Sequence, residues 1–250
     1  MLLIFYALET EVRPFKRRLQ RLKRLELQGC KGWQGSVDGA ELVLVATGVG
    51  MERAAASARR ALELFAPTQP VVSTGVAGAL SEELTVGTIV LADRLLCDPP
   101  GSNTDSRIVM PAQSRTQSLA RALTGAGLSV AVGPTLTVLA ALPDGLSKRR
   151  ARRESGAIAV DMESAAIARE ARKKGLDFVY ARSVLDAVDD RLPPTRLIDE
   201  NGNLRPLTAT AFLLRHPAML FKWTPRIVRN MGIATARLAE ALEALARCRA

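Results

Sequence analysis

The chain has 250 residues, 48% of them hydrophobic, and its 35 Lys and Arg against 25 Asp and Glu give a formal net charge of +10. This composition is typical of a globular protein and excludes the fibrous and intrinsically disordered classes. The basic excess favours anionic partners such as nucleic acid, phosphate or an acidic membrane surface, and it is equally typical of a basic, solvated surface.

Cysteine and histidine are scarce in this sequence. Cys30, Cys97 and Cys248 lie far apart, and the single histidine is His216. Such sparse cysteines indicate a reducing compartment and argue against a disulfide framework, a zinc site or a His-based triad. The first residues lack the basic region of a signal peptide, and no stretch reaches the roughly 18 apolar residues of a membrane span. We therefore expect a cytoplasmic protein with no metal and no cofactor.

Apolar, β-branched runs alternate with helical patterns along the chain. We predict a first strand over residues 2–8 and a helix over 11–25, where valine, phenylalanine and leucine recur at helical spacing. A hairpin follows, marked by glycine-containing breaks. Further strands are predicted in ELVLVAT, PVVSTGVAGAL, VGTIVLAD, SVAVGPTLTVLA, AIAV and DFVYARSVLDAV, and further helices over 52–65, 112–126, 162–174 and 230–247.

This alternation predicts one α/β domain over residues 1–250, with a central mixed, mostly parallel twisted sheet and an extended C-terminal helical segment at about 206–250. In such a sheet, functional residues collect where strands end and helices begin. Four places fit that description, and we consider them as candidate sites: residues 9–11, the glycine turns at 48–50 and 75–78, residues 161–163, and Asp186.

The acidic residues at these places follow apolar runs, where burial raises the pKa of a carboxyl group unless a hydrogen-bond donor compensates. Each also has an ordinary structural interpretation. Asp161 can cap the helix that follows it, and Glu163 can interact with the dipole of its first turn. Asp186 can simply begin an acidic loop. Taken one by one, these residues do not define a catalytic site.

Taken together, the motifs resemble those of a known family. ALETEV, TGVG, STGVAGAL, AVDMESAAIA and FVYARSVLDAVDD have the order and spacing of the nucleoside phosphorylase and nucleosidase superfamily, over about residues 1–186. The sequence is most similar to the branch of 5′-methylthioadenosine/S-adenosylhomocysteine nucleosidases. The resemblance implies a three-layer α/β/α fold, a homodimer or higher homo-oligomer, and an enzyme that cleaves the N-glycosidic bond of a purine nucleoside, such as a 5′-substituted adenosine.

The same resemblance implies roles for the acidic residues. Glu163 binds the ribose hydroxyls and stabilises an oxocarbenium-like transition state, while Met162 packs against the sugar. Asp186 is the acid that protonates N7 of the departing purine. Arg182 is expected to hold the loop that carries Asp186. Glu11 matches the residue that activates water in the hydrolytic branch.

Two positions depart from the family pattern. Val76 stands where relatives carry a hydroxyl near the anion-binding turn, and Ala140 stands where an aromatic side chain stacks on the purine. The turns still offer backbone amides to an anion. Whether water or phosphate is the nucleophile therefore stays open at this level. The turn residues expected to contact substrate are Gly48, Gly50, Gly75 and Gly78.

The C-terminal segment mixes large apolar residues with Arg and Lys, and over 210–229 it favours contact with an anionic membrane surface or with a lipid-linked substrate. An ordinary helical cover of the core or a subunit interface is the alternative. DENGNLRPL and LLRHPAML are also similar to hopanoid-associated phosphorylases, which implies a substrate of the adenosylhopane type.

Three other functions remain as alternatives to this interpretation. The first is hydrolysis of methylthioadenosine or S-adenosylhomocysteine, and the second is a non-catalytic nucleoside-binding module. The third is nucleic-acid binding through the basic runs FKRRLQRLKR and SKRRARR. No nucleic-acid-binding motif accompanies these runs, so we expect no nucleic-acid partner.

Overall fold

The computed structural model describes residues 1–27, 29–67, 70–97, 107–109, 113–191 and 224–248, within which ten strands form one sheet. The strands are β1 (Leu2–Tyr6), β2 (Gln20–Leu27), β3 (Cys30–Val37), β4 (Ala40–Ala46), β5 (Val71–Ala79), β6 (Ile89–Cys97), β7 (Arg107–Val109), β8 (Val130–Thr137), β9 (Ala159–Asp161) and β10 (Phe178–Asp186). The helices are α1 (Glu9–Lys16), α2 (Met51–Phe65), α3 (Gln113–Gly125), α4 (Gly145–Ser155), α5 (Ser164–Lys173) and α6 (Thr224–Arg247).

The sheet runs in the order β10-β6-β8-β9-β5-β1-β4-β3-β2, and β7 pairs with β6. Because β10 pairs with β5 as well as with β6, the strands β5, β9, β8, β6 and β10 close into a ring. β5 pairs in parallel with β1 and with β10, whereas β2, β3 and β4 form antiparallel pairs. The expected α/β fold with a mixed sheet is confirmed. The carboxyl ends of β1, β5 and β10 meet at one edge.

Helices cover both faces of this sheet. Successive residues of a strand point to opposite faces, and in β1 Leu3 and Phe5 join the apolar cluster beneath α2 and α5. Leu2, Ile4 and Tyr6 join the cluster beneath α1, α3 and α6. Because both faces are buried, β1 is a continuous apolar run without polar alternation. The arrangement is the expected three-layer α/β/α sandwich.

The helix predicted over 11–25 is wrong in its second half, where β2 takes its place. The pairing of β2 with β3 contains a register shift between Gln20 and Lys23. Such a bulge moves the alternation of a strand by one residue. Leu22 and Leu25, three positions apart, are therefore both half-buried, and their spacing imitates that of a helix.

Helix α4 was not predicted, because SKRRARR has the composition of a solvated basic run. Within it, Lys148, Ala151 and Ser155 follow one another at intervals of three and four residues, which places them on one face. Lys148 is buried and Ala151 packs against an apolar cluster, so this face is the inner one. The helix thus brings a lysine from the basic run into the interior.

Part of the C-terminal segment lies outside the described residues, including the motifs DENGNLRPL and LLRHPAML and His216. The face predicted over 210–229 falls there as well, apart from residues 224–229, with which α6 begins. None of the helices that the structure describes is long and apolar enough to cross a membrane.

Candidate active site

A cavity of about 640 Å³, its open mouth included, lies where β1, β5 and β10 end and α5 begins. It brings together seven of the eleven residues predicted for the site. These are Glu11, Val76, Gly78, Met162, Glu163, Arg182 and Asp186.

Glu11 is buried in the first turn of α1, and its carboxylate accepts three backbone hydrogen bonds. Oε2 accepts from the amides of Ala7 at 3.1 Å and Leu8 at 2.8 Å, and Oε1 accepts from the amide of Val76 at 3.0 Å. Burial raises the pKa of Glu11, although Arg182 and the three amides oppose that rise. The protein's own carboxylate therefore occupies the amide of Val76, in the glycine turn where an anion was expected to bind.

Glu163 lies at the N-terminus of α5, where it bridges two elements. Oε1 accepts from the amide of Gly50 at 2.9 Å, and Oε2 accepts from Nη2 of Arg182 at 3.2 Å. Gly50 has a φ of +98°, a backbone conformation that favours glycine, and it immediately precedes α2. Burial raises the pKa of Glu163 to about 7, with Arg182 opposing the rise and Asp161 adding to it.

Arg182 is a fully buried arginine beneath these carboxylates. It donates to the carbonyl of Val76 at 3.0 Å and to Oγ of Ser164 at 3.2 Å, in addition to its bond with Glu163. Its Nε also lies 3.3 Å from Oδ2 of Asp161 in an ion pair that lacks hydrogen-bond geometry. These contacts differ from the expected role, because among the described residues Arg182 contacts the Glu163 carboxylate and the turn of β5 and not the loop after β10.

Asp161 performs the structural role considered for it from the sequence. Its Oδ1 accepts from the amides of Glu163 at 3.1 Å and Ser164 at 3.2 Å, and from the hydroxyl of Thr137 at 2.8 Å. Amides at the start of a helix lack partners within that helix, so the Asp161 carboxylate satisfies two donors at the entrance to α5.

Asp186 ends β10 directly opposite Gly78 of β5. Its Oδ2 accepts a hydrogen bond from the ammonium of Lys148, a buried residue that the sequence did not indicate. Burial raises the pKa of Asp186, and the ammonium opposes the rise. A Cβ at Gly78 would lie 3.2 Å from Oδ2, so glycine at this position leaves the carboxylate the space it needs.

Comparison with known proteins agrees with this geometry. Residues 2–214 match the model of the phosphorylase superfamily. The chain belongs to the phosphorylase superfamily. Over 200 residues it is 27% identical to the 5′-methylthioadenosine/S-adenosylhomocysteine nucleosidase of Aeromonas salmonicida, covering 73% of this chain and 84% of that protein. The superfamily expected from the sequence is confirmed, and with it the class of enzyme, a nucleoside phosphorylase or nucleosidase.

Solved structures of the superfamily share the fold over nearly the whole chain. The 5′-methylthioadenosine/S-adenosylhomocysteine nucleosidase of Neisseria meningitidis, in complex with methylthio-immucillin-A, gives a TM-score of 0.77 at 19% identity, covering 99% of this chain and 98% of that one. The corresponding nucleosidase of Colwellia psychrerythraea with adenine gives 0.75 at 20% identity, with 98% and 94% covered. Futalosine hydrolase of Helicobacter pylori gives 0.73 at 18% identity, with 98% and 96% covered.

Four of the predicted site residues do not line the cavity of this superfamily member. Gly48 and Gly50 lie on either side of Val49, which lines the cavity. Gly75 precedes Val76, which also lines it. Ala140 is exposed, while its neighbours Val138, Ala141 and Leu142 contribute to the wall. The position predicted for stacking on the purine therefore lies just outside the cavity, in an irregular stretch between β8 and α4.

The charges around the cavity are four carboxylates and two cations. Both cations are bound within the protein, since Arg182 pairs with Glu163 and Asp161, and Lys148 pairs with Asp186. When all of these groups are ionised the lining carries an excess of negative charge, which suits a transition state that gains positive charge. Among the residues that the structure describes, no group of His, Cys, Asp and Glu is arranged to hold a metal ion.

Proposed function

We propose that the protein hydrolyses the N-glycosidic bond of a purine nucleoside, with a 5′-substituted adenosine as substrate. The observation that carries this proposal is the position of the Glu11 carboxylate among the amides of Ala7, Leu8 and Val76. A carboxylate offers about four lone-pair sites, and three of them are used here. The remaining site on Oε1 can accept a proton from a water molecule that attacks the sugar.

Phosphate is a poor fit to this site. An incoming phosphate needs free amides or free cations, and here the three amides already donate to Glu11. Among the described residues of the lining, Arg182 and Lys148 are each held by a carboxylate. A dianion would also meet the charge of Glu11 at close range. Val76 adds no hydroxyl that could help to bind it. Hydrolysis is therefore favoured over phosphorolysis.

The ribose binds against Glu163 and Met162. The Glu163 carboxylate is held at a fixed place by the amide of Gly50 and by Arg182, so it does not have to reorganise when charge develops on the sugar. An oriented anion next to an oxocarbenium-like sugar stabilises the transition state more than the ground state. Asp186, at the end of β10, protonates the departing base.

The apolar part of the lining favours a nucleoside whose 5′ position carries an apolar group. Leu8, Val49, Val138, Ala141 and Leu142 all contribute to it. Three of the four relatives named above are nucleosidases of methylthioadenosine and S-adenosylhomocysteine, both 5′-thio-substituted adenosines. A lipid-linked adenosine of the adenosylhopane type, contact with a membrane surface and assembly into a homo-oligomer remain predictions from the sequence.

The test is incubation of the purified protein with adenosine, methylthioadenosine, S-adenosylhomocysteine and a lipid-linked adenosine, with and without inorganic phosphate. We expect free adenine from the 5′-substituted substrates at the same rate in both buffers, and no sugar phosphate by phosphorus NMR. Glu11→Gln should lose most of this activity, whereas Glu83→Gln, an exposed acidic residue away from the cavity, should not. Base release that requires phosphate would contradict hydrolysis, and no release from any nucleoside would contradict the proposed function.

A further inference from the structure

The buried ion pair between Lys148 of α4 and Asp186 of β10 has no role in the chemistry described so far. We propose that Lys148 is a positioning residue for departure of the base: it orients the carboxyl group of Asp186 and stabilises the carboxylate that remains after the proton has left. The catalytic meaning of this inference rests on the proposed function. The pair itself is a property of the folded protein.

The contacts of Lys148 fix its ammonium group. Its side chain is 1% exposed, and its Nζ donates to Oδ2 of Asp186, to the carbonyl of Ala187 at 2.6 Å and to the carbonyl of Asp190 at 3.2 Å. A lysine ammonium has three protons to donate, so all of its hydrogen-bonding capacity is used. An unpaired charge at this depth would be strongly unfavourable, and these three acceptors remove that penalty.

The pairing also determines which oxygen of Asp186 faces the substrate. Oδ2 is bound by Lys148, whereas Oδ1 has no hydrogen bond with any residue that the structure describes. Asp186 contributes to the cavity wall, and Gly78 opposite it keeps the space in front of the carboxyl group open. Oδ1 is therefore the oxygen available to a purine nitrogen. A proton donor held at one oxygen cannot rotate away from that orientation.

The proton transfer balances with Lys148 unchanged. The bond between the ribose carbon and the base nitrogen breaks, and its electron pair goes to the base. The proton on Oδ1 of Asp186 passes to N7 of the base, leaving a carboxylate. The ammonium of Lys148 keeps its own three protons and pairs with that carboxylate. The oxygen of the attacking water bonds to the ribose carbon while Glu11 takes one of the water protons. Glu11 then releases that proton to solvent, and Asp186 recovers one from solvent before the next cycle.

Other charged groups near the pair are themselves compensated. The Asp190 carboxylate raises the pKa of Asp186, and its Oδ1 pairs with Arg226 of α6 at 2.6 Å. Arg149, the next residue of α4, pairs with Asp189 and points to the surface. Lys148 is thus the cation that acts directly on Asp186. An opposite charge at this range lowers a carboxyl pKa, so removal of Lys148 should raise the pKa of Asp186 further.

The first measurement needs no substrate. Carboxyl-carbon NMR of protein labelled in aspartate follows the titration of Asp186, with Asp186→Asn used to assign the signal. We expect Lys148→Met and Lys148→Gln to raise the pKa of Asp186, and Lys148→Arg, which keeps the charge, to leave it near the wild-type value. The Gln side chain still has N–H donors for the carbonyls of Ala187 and Asp190, so we expect Lys148→Gln to fold even if Lys148→Met does not. An unchanged pKa in either folded neutral variant overturns the inference.

The second measurement compares two leaving groups. A purine must be protonated to depart, whereas p-nitrophenolate departs without a proton. Misplacement of a catalytic group by about 1 Å costs on the order of 10² in rate. We therefore expect Lys148→Gln to slow adenine release by about that factor relative to hydrolysis of p-nitrophenyl riboside.

Arg150→Met, which removes an exposed charge from the same helix, should leave the ratio of the two rates unchanged. Equal effects on both substrates overturn the positioning role. If the wild type releases no base, the proposed function is wrong, but the NMR titration still shows whether Lys148 acts on the carboxyl group of Asp186.

Discussion

A side chain at Gly75 would begin 2.7 Å from Oε1 of Glu11, a separation that real Cβ atoms essentially never show. Gly75 also has a φ of +140°, which L-residues rarely adopt. Its neighbour Val76 donates its amide to the same oxygen. Glycine at position 75 therefore allows β5 to approach the carboxylate closely enough to bind it. This contact links the backbone of one strand to the residue proposed to activate water.

We expect Gly75→Ala to reduce base release by at least about 10²-fold, because displacement of Glu11 by a fraction of an ångström removes a general base from its position. Gly39→Ala is the matched control, since Gly39 has a φ of +83° but no atom within 4 Å of an added Cβ. Both variants place an alanine in an unfavourable backbone conformation, but only Gly75→Ala also creates a clash. Steady-state kinetics and thermal unfolding of both variants make the comparison. Similar activity in the two would show that the clash does not reach Glu11.

The second prediction concerns the leaving-group acid. Asp186→Asn keeps the size of the side chain and cannot deliver a proton, so adenine release should fall by roughly 10²–10⁴-fold. Hydrolysis of p-nitrophenyl riboside should be affected much less. The amide also leaves Lys148 facing a neutral group, and a lower melting temperature is expected. Turnover of a purine nucleoside near the wild-type rate would refute the role of Asp186.

The third prediction separates two carboxylates that are two residues apart. Glu163→Gln removes the charge next to the developing oxocarbenium and should reduce turnover strongly. Asp161→Asn should be milder, because Asn also accepts from the amides at the start of α5. Kinetics of the two variants with one substrate is the measurement. If Asp161→Asn is the more damaging change, Asp161 has a direct role that its hydrogen bonds do not reveal.

The location of these carboxylates could be inferred from sequence, whereas their partners could not. Glu11, Glu163 and Asp186 follow apolar runs in an alternating pattern, and the ends of parallel strands meet at one edge. By contrast, Lys148 sits in a run whose composition indicates a solvated surface. Only the i, i+3, i+7 spacing of Lys148, Ala151 and Ser155 hinted at a buried face.

Long-range pairing and local irregularity explain the other differences. Arg182 contacts Asp161 and Glu163 from a different strand, and no local pattern encodes that choice of partner. In β2, leucines at helical spacing lie on a strand whose alternation is interrupted by a bulge, and Ala140, the position predicted for stacking on the purine, lies in the irregular stretch between β8 and α4. Regular elements are encoded by periodicity, while bulges and ion pairs depend on tertiary contacts that periodicity does not carry.

The last prediction is a dependence of stability on pH that Glu163 produces. Burial raises the pKa of Glu163 in the folded protein to about 7, above the ordinary value of 4.5 for an unfolded chain. Between these two values the folded state keeps a proton that the unfolded state releases. The contribution of Glu163 to stability is therefore greatest below about pH 4.5, declines as the pH rises through this window, and levels off above about pH 7.

Glu163→Gln removes this titration, so the melting temperature of the wild type minus that of the variant should decrease from about pH 4.5 to 7 and then stay constant. Asp161 adds to the raised pKa of Glu163, so Asp161→Asn should shift the decline toward lower pH. Thermal unfolding of the three proteins in matched buffers measures both effects. A difference that is independent of pH, or one that increases with pH, would mean that Arg182 keeps Glu163 ionised throughout the range.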